Sequence, residues 1–396
     1  MEFEPFQDRR VPFQQMPVPN KTKHRWSVLA VALFTLSAAA QTSTPPNAAD
    51  TQQQNAVIID AVQGGWSISG TKVREEQQRS AVDVNTIPQA TPKEQLDQIR
   101  AARNLSLVQN QGTIPRTDKA DLVNKAALLN SAAPQSFEAH MANFYAQFPA
   151  PTAFQELDLA LAKDRDREEL IAPELANAAR KDNALELTKW AREMKSRGRV
   201  APGLYAYAED VMTSLEPGAV LIAAGEMDAY PLWVHQFASA KRNDVFVIDQ
   251  RLLVDPAYRA RIWERTKAKG TVPTENEMIT ELVKSTTRPV YLSLAMGSAA
   301  MGGQGNNLYL TGLAVRWSKE PTNNLRLLEE RWGQFKKAMD AGPLSQNYLV
   351  PGAILLKHYR SIGDETKASL LEHDLRIMAK KLGATERLIK ANILAH

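Results

Sequence analysis

The stretch Gly218-Ala219-Val220-Leu221-Ile222-Ala223-Ala224-Gly225-Glu226-Met227-Asp228-Ala229-Tyr230-Pro231-Leu232-Trp233 decides the fold. From Gly218 to Ala224 it is an unbroken run of small and aliphatic residues, bounded by Pro217 and Gly225. Such a run is too short for an ordinary helix and reads as a strand buried on both faces of a parallel sheet. A helix from about Pro231 to Ala240 follows. Asp244 to Ile248 repeats the buried-strand pattern, helices are expected over Pro256–Lys267 and Glu275–Lys284, and Pro289 to Leu294 is a third strand. Leu308–Leu310 through Val315–Trp317 reads as one further strand, antiparallel to the third. Strands alternating with helices through short connections imply right-handed crossovers and a small three-layer α/β core over residues 201–320.

Both flanks are helical. Thr91-Pro92-Lys93-Glu94 offers a cap residue, Pro at the first helical position and an acid in the first turn. Leu96, Ile99, Ala101 and Ala102 continue it, and Leu122, Ala126, Leu128 and Leu129 mark a second short helix. Phe154, Leu157 and Leu161, then Leu170, Ile171, Leu175 and Ala178, then Leu185, Leu187, Trp190 and Met194 recur at helical spacing. Lys181-Asp182-Asn183 is a tight polar turn, so residues 91–200 form a helical region of hairpins. Residues 321–396 return to helices: Leu325–Ala338, then Tyr348–Arg360 and Glu365–Lys381 joined by Ile362-Gly363-Asp364. Ala353, Leu356, Tyr359, Gly363 and Ala368 give this last pair a tetratricopeptide-like pattern, in one copy. The expected class is therefore α/β with large helical content: a helical N-terminal region, the α/β core and a helical C-terminal cap.

The N-terminus carries an address. Lys21, Lys23, His24 and Arg25 precede the uncharged run Trp26–Ala40, which ends in three alanines before Gln41. A basic segment, an apolar segment and a small-residue end make a secretory signal peptide over residues 1–40. The run is shorter than the ~20 residues of a membrane span. An uncleaved signal anchor is the alternative. The acidic residues Glu2, Glu4 and Asp8 are foreign to such a segment, and a start at Met16 gives a conventional one. Residues 41–90 are polar and read as a mostly disordered linker, with a small hairpin at Ala56–Ile68.

Composition narrows the chemistry. The 396 residues include no cysteine, which excludes disulfides, cysteine-ligated metals, a cysteine nucleophile and a lipidated cysteine. With 48 basic and 44 acidic residues, the net charge does not predict nucleic-acid binding. The candidate site is the carboxyl end of the first strand, where open α/β sheets bind ligands. Gly225, Glu226, Asp228, Tyr230 and Trp233 are the candidate ligand-binding residues. Glu226 and Asp228, with His235 one turn into the helix, are the candidate acid–base groups. The same two carboxylates are the candidate ligands of a divalent cation, and no other cofactor is expected. Alternatively, Asp228 caps the helix that begins at Ala229 and Glu226 is solvated. The glycine-rich Met296–Asn307 lacks the Gly-Lys-Ser/Thr of a phosphate-binding loop and reads as a connection between strands. Alternating charges from Lys163 to Glu169 read as a solvated turn. The basic 250–270 segment, with Arg261 and Arg265 four residues apart, reads as a wet surface or a face for an acidic partner.

The glycine–acid–x–Asp–x–aromatic–Pro–Leu–Trp order of Gly225–Trp233 resembles the soluble C-terminal part of a bacterial family of mannosyltransferase-like membrane proteins. The resemblance continues through Arg242-Asn243-Asp244-Val245, Leu252-Leu253, Arg288-Pro289-Val290-Tyr291 and Leu310–Trp317, within residues 205–380. That family joins a multi-spanning transferase half to an α/β segment and helical repeats. Its pattern has Asp, Asn and Thr where this chain has Glu226, Met227 and Ala229, and the multi-spanning half has no counterpart here. The resemblance thus implies an exported α/β-plus-helix module and carries no transferase activity over. The expected role is a non-enzymatic binding or assembly module for an envelope protein or a glycan. The alternatives are a hydrolase or transferase using Glu226 and Asp228, and a membrane-anchored accessory subunit of a glycosylation or secretion system.

Overall fold

The computed structural model describes residues 90–110, 114–296, 307–319 and 324–395. The signal segment, the linker with its hairpin, and residues 297–306 of the glycine-rich connection lie outside the described residues. The α/β class with high helical content is borne out: helices surround one small mixed sheet. The described chain contains no helix long and apolar enough to cross a membrane.

Among the described residues the helical region comprises α1 Pro92–Gln109, α2 Arg116–Ala132, α3 Phe137–Gln147, α4 Pro151–Lys163, α5 Ile171–Arg180 and α6 Ala184–Ser196. The capping box at Thr91 and Glu94 forms as the sequence suggests, with the Glu94 carboxylate accepting from Thr91 N at 2.6 Å and Thr91 Oγ1 accepting from Glu94 N at 3.3 Å. Asn183 caps α6 through Glu186 N, 3.2 Å away. Two helices before the sheet were not anticipated. One is α3, whose apolar residues Phe137, Met141, Phe144 and Tyr145 are buried among alanines too small to mark a stripe. The other is α7, Pro202–Thr213, which links the helical region to the sheet and buries Leu204, Tyr207 and Val211.

The sheet comprises β1 Val220–Ala223, β2 Phe246–Asp249, β3 Val290–Ser293, β4 Leu308–Leu310 and β5 Ala314–Trp317, in the order β2-β1-β3-β5-β4. The first three are parallel, with Val220 opposite both Phe246 and Val290. All four residues of β1 are buried, as expected of the central strand of a parallel layer. β5 runs antiparallel to β3, pairing Leu292 with Val315. The single strand expected over 308–317 is instead a hairpin, β4 and β5. Gly312 (φ 147°) takes a backbone conformation that L residues rarely adopt and lets the chain reverse there.

Between the strands lie α8 Glu226–Trp233, α9 Pro256–Arg265 and α10 Met278–Ser285. The helix expected from Pro231 begins five residues earlier, because the Gly225 carbonyl accepts directly from Ala229 N at 2.6 Å. Pro231 sits inside α8 and gives no N–H to the helical ladder; from Val234 to Ala238 the helix widens into a π-type turn. The helix expected at Glu275 starts at Met278, and the one expected to reach Ala338 ends at Gln334 (α11, Asn324–Gln334). α12 Leu349–Ser361 and α13 Glu365–Lys381 form the C-terminal hairpin, followed by α14 Thr385–Lys390.

One continuous hydrophobic cluster runs from Leu96 to Leu394 through helices and sheet alike. Charged side chains tie the helical region to the α/β part. Arg180 of α5 bonds the Asp255 carboxylate at 2.7 Å, and Asp255 itself caps α9. Arg261 donates to the Arg180 carbonyl at 2.7 Å and Arg265 to Asp182 at 2.7 Å. Arg259 donates to the Leu253 and Pro273 carbonyls at 2.6 and 3.1 Å. The basic 250–270 segment is thus largely occupied by the chain's own acceptors rather than presented as a free cationic face.

The residues that carry the family resemblance at the other end of the sheet are structural. Arg242 donates to the Met212, Leu215 and Glu216 carbonyls and to Asp244, closing the C-terminus of α7. Arg288 bonds the Gly218, Ala219 and Asp244 carbonyls at 2.7, 3.1 and 3.0 Å. Together they brace the amino-terminal edges of β1, β2 and β3.

Candidate functional site

At the carboxyl end of β1 the backbone turns sharply at Gly225. The approach is close: a Cβ there would lie 3.1 Å from Arg251 Nε and 3.3 Å from its Cδ. Gly225→Ala should therefore displace the Arg251 side chain and lower the denaturant midpoint measurably, a result that guanidine titration of the variant checks.

Glu226 opens α8 and is 3 % exposed. It is not solvated. Arg103 of α1 grips it with both terminal nitrogens, and Arg251 Nη1 donates to Glu226 Oε1 at 2.9 Å. Arg251 also clasps Asp249 at the end of β2, through Nε at 3.0 Å and Nη2 at 2.6 Å. The result is a buried chain of alternating charge, Arg103–Glu226–Arg251–Asp249. Burial alone pushes the Glu226 pKa up, but the charges of Arg103 and Arg251 and their hydrogen bonds outweigh it, so the carboxyl falls to about 2. The Arg251 guanidinium lies 4.9 Å from the Phe148 ring centroid and 5.8 Å from that of Tyr230, which adds cation–π contact to the brace.

Asp228 lies two residues on and faces another way. It is not the N-cap, since the helix has already begun. Its Oδ2 reaches back to accept from Ala224 N at 2.9 Å, and its carboxylate also bonds Ser293 at the end of β3. Oδ1 has no hydrogen-bond partner among the described residues. Burial, aided by the nearby Asp249 charge, raises its pKa to about 6 against the bonds from Ala224 and Ser293. Glu226 and Asp228 thus sit in separate surroundings with opposite shifts.

The remaining candidates divide. Tyr230 and Trp233 are buried and stack on each other at 5.4 Å and 22°; the Trp233 indole points at the Val247 carbonyl, 3.5 Å away. His235 does not approach Glu226. It sits in the π-type turn beside Tyr205 (5.6 Å between rings), with Glu209 3.9 Å from its Nδ1. Burial lowers its pKa despite that carboxylate. Among the described residues no group of three or more His, Asp or Glu side chains is placed to hold a metal ion.

Above Glu226 a narrow cleft opens between the helical region and the sheet edge. It offers ≈ 40 Å³ to the centres of water molecules, within ≈ 550 Å³ of empty space that includes open solvent. Glu226 and Tyr230 form its floor, and Arg100, Arg103 and Arg199 its cationic lining. Glu168 and Glu169 also border it. Both are engaged, Glu168 by Arg197 and Arg199 and Glu169 by Arg167. Arg103 and Arg199 are 4 % and 8 % exposed, and the Nε of each lacks a partner.

Sequence reasoning found Glu226, Asp228 and Tyr230 and missed the arginines. Arg103 lies 123 residues away in sequence, so no local pattern links it to the site. Arg251 did leave a trace: Asp249-x-Arg251, at the carboxyl end of the second strand, is an ion pair at the edge where ligands bind.

Residues 204–278 match the family model described as TMEM260-associated domain 2, which points to a family of membrane proteins. The match runs from α7 through β1, α8, β2 and α9, and so contains Glu226, Asp228, Asp249 and Arg251 but not Arg103. Comparison with curated proteins and with solved structures gave no match.

Proposed function

We propose that the chain is an exported, non-enzymatic binding module of the cell envelope. Its recognition element is the arginine-lined cleft over Glu226, and its partner is an acidic group of an envelope protein or glycan. The observation that carries this reading is the engagement of Glu226. A carboxylate held by two arginines at a pKa of about 2 is a poor proton donor or acceptor near neutrality. It is well suited to fixing Arg103 and Arg251 in place beside the cleft. The match to a domain associated with membrane proteins supports an envelope setting, as does the N-terminal signal pattern. The membrane is then met only through that N-terminal segment, as a single-pass inner-membrane anchor if it is retained. The module reads as the soluble part of a mannosyltransferase-like system, with α12 and α13 as one tetratricopeptide-like unit.

The test uses Arg100, which is half-buried and pairs with Asp97 at 3.2 Å within its own helix. Arg100→Ala should change stability by no more than about 0.5 kcal/mol and should abolish capture of the stoichiometric partner from crosslinked envelopes. Undiminished capture by this variant removes the cleft from the interface.

Asp228 supports a second reading, acid–base chemistry, because a buried carboxyl with a pKa of about 6 and one free oxygen can donate and accept protons near neutrality. Here the linkage has a definite sign. The folded-state pKa exceeds the reference value of 3.8, so Asp228 progressively destabilises the fold as pH rises from about 4 to above 6. Asp228→Asn should therefore raise the melting temperature at pH 8 more than at pH 4. An unchanged function in the same variant removes the acid–base reading.

A further inference from the structure

A separate groove runs between α4, α5 and α6, on side chains that play no part in the cleft over Glu226. It offers ≈ 380 Å³ to the centres of water molecules, several times the room of that cleft. At its wall stands Glu174 of α5, which is 7 % exposed. Glu174 Oε2 accepts a long bond of 3.4 Å from Asn177 Nδ2, and Oε1 is buried with no hydrogen-bond partner among the described residues. The neighbouring charges do not compensate it. Asp158 and Glu186 oppose its ionisation and Lys181 favours it, while burial is the largest influence and raises its pKa to about 7. Arg165 and Lys189 also border the groove, and Lys189 lies 3.4 Å from Glu186.

A buried carboxylate with an oxygen that accepts no hydrogen bond destabilises a fold, and a neutral residue in its place costs less. Its chemistry calls for a cation. No metal-holding group of three or more such side chains exists among the described residues, so a single carboxylate oxygen best suits one ammonium group. The walls near Glu174 include Leu161 and Ala178, apolar surface for an alkyl stem. A sugar would want a bare aromatic face, and the one available is covered: Lys189 Nζ lies 4.3 Å over the Trp190 ring. The structure therefore assigns this groove, in our reading, to a primary alkylammonium: a lysine side chain of a protein partner, with the Glu174 carboxylate as its anion.

The probe is Nα-acetyl-lysine methylamide, titrated calorimetrically into the full chain at pH 6 and pH 8, with Nα-acetyl-norleucine methylamide as the uncharged control. Binding needs ionised Glu174, so affinity should be about tenfold weaker at pH 6 than at pH 8, with proton release visible as buffer-dependent heat at pH 6. The norleucine amide should not bind. Glu174→Gln should abolish both the binding and its pH dependence. Its melting temperature at pH 8 should equal or exceed that of the wild type, which shows that the fold survives. Absence of heat at millimolar probe with wild-type protein overturns the proposal, as does unchanged affinity in Glu174→Gln. Equal or tighter binding of glucosamine overturns the assignment to lysine.

Discussion

Replacing Glu226 by Gln should lower the stability of the chain by about 3 kcal/mol at pH 7. Gln keeps the shape and two hydrogen-bonding atoms but removes the negative charge between Arg103 and Arg251. Both guanidiniums are then buried with Asp249 as the one remaining carboxylate of the chain, and Arg103 has none. An uncompensated buried charge is what makes removal of one partner so costly. The depressed pKa of Glu226 points in the same direction. Glu226 falls from 4.5 to about 2 on folding, and each unit corresponds to about 1.4 kcal/mol, so its contribution is again roughly 3 kcal/mol. The folded-state pKa is depressed, so this contribution is fully present above pH 4.5 and is lost as pH falls towards 2. Urea titrations at pH 7 and pH 3 check both statements: the wild type should lose stability between them, and Glu226→Gln should lose about 1 to 2 kcal/mol less. The double change Arg103→Met with Glu226→Leu should recover much of the loss, because an apolar pair of similar volume carries no stranded charge. A Glu226→Gln variant as stable as the wild type at pH 7 would show that the brace does not hold the helical region to the sheet edge.

Gly203→Ala should destabilise by about 3 kcal/mol, the upper end of what overpacking usually costs. Gly203 lies in the first turn of α7, where a Cβ would come within 2.5 Å of the Asp340 carbonyl carbon and oxygen. These are backbone atoms, so no rotamer change relieves the overlap. The segment that must move also carries Lys336 N and Lys337 N, which donate to the buried Asp210 at 3.0 and 3.1 Å, while Tyr348 donates to the same carboxylate at 2.7 Å. Shifting it strains the joint between α7 and the C-terminal helices. The sign of the result is diagnostic. In an uncrowded helix the same substitution stabilises by about 1 kcal/mol through propensity, so a raised denaturant midpoint would mean that Asp340 does not press on α7.

Much of the fold was legible because its signals are local. The buried run Val220–Ala223 has the length and composition of a central strand wherever it occurs, and Thr91 caps α1 through a partner three residues away. The boundaries that moved did so for equally physical reasons. α8 starts at Glu226 because Gly225 offers its carbonyl at once, and α3 was hidden because alanines separate its apolar residues. The region around 308–317 looked like one strand because both arms are apolar; the reversal depends on the backbone of Gly312.

The candidate site shows the limit most clearly. Sequence alone determined that two carboxylates stand at the carboxyl end of a central parallel strand, since that follows from periodicity and from turn chemistry within a few residues. Tertiary structure decided what they are. Folding brings Arg103 from α1 onto Glu226 and leaves Asp228 with Ser293 and a free oxygen, so adjacent acids acquire opposite pKa shifts. It likewise left Glu174 buried without a cation, in a helical hairpin whose sequence reads as ordinary core. Charge and burial depend on neighbours far apart along the chain, and no local pattern encodes them.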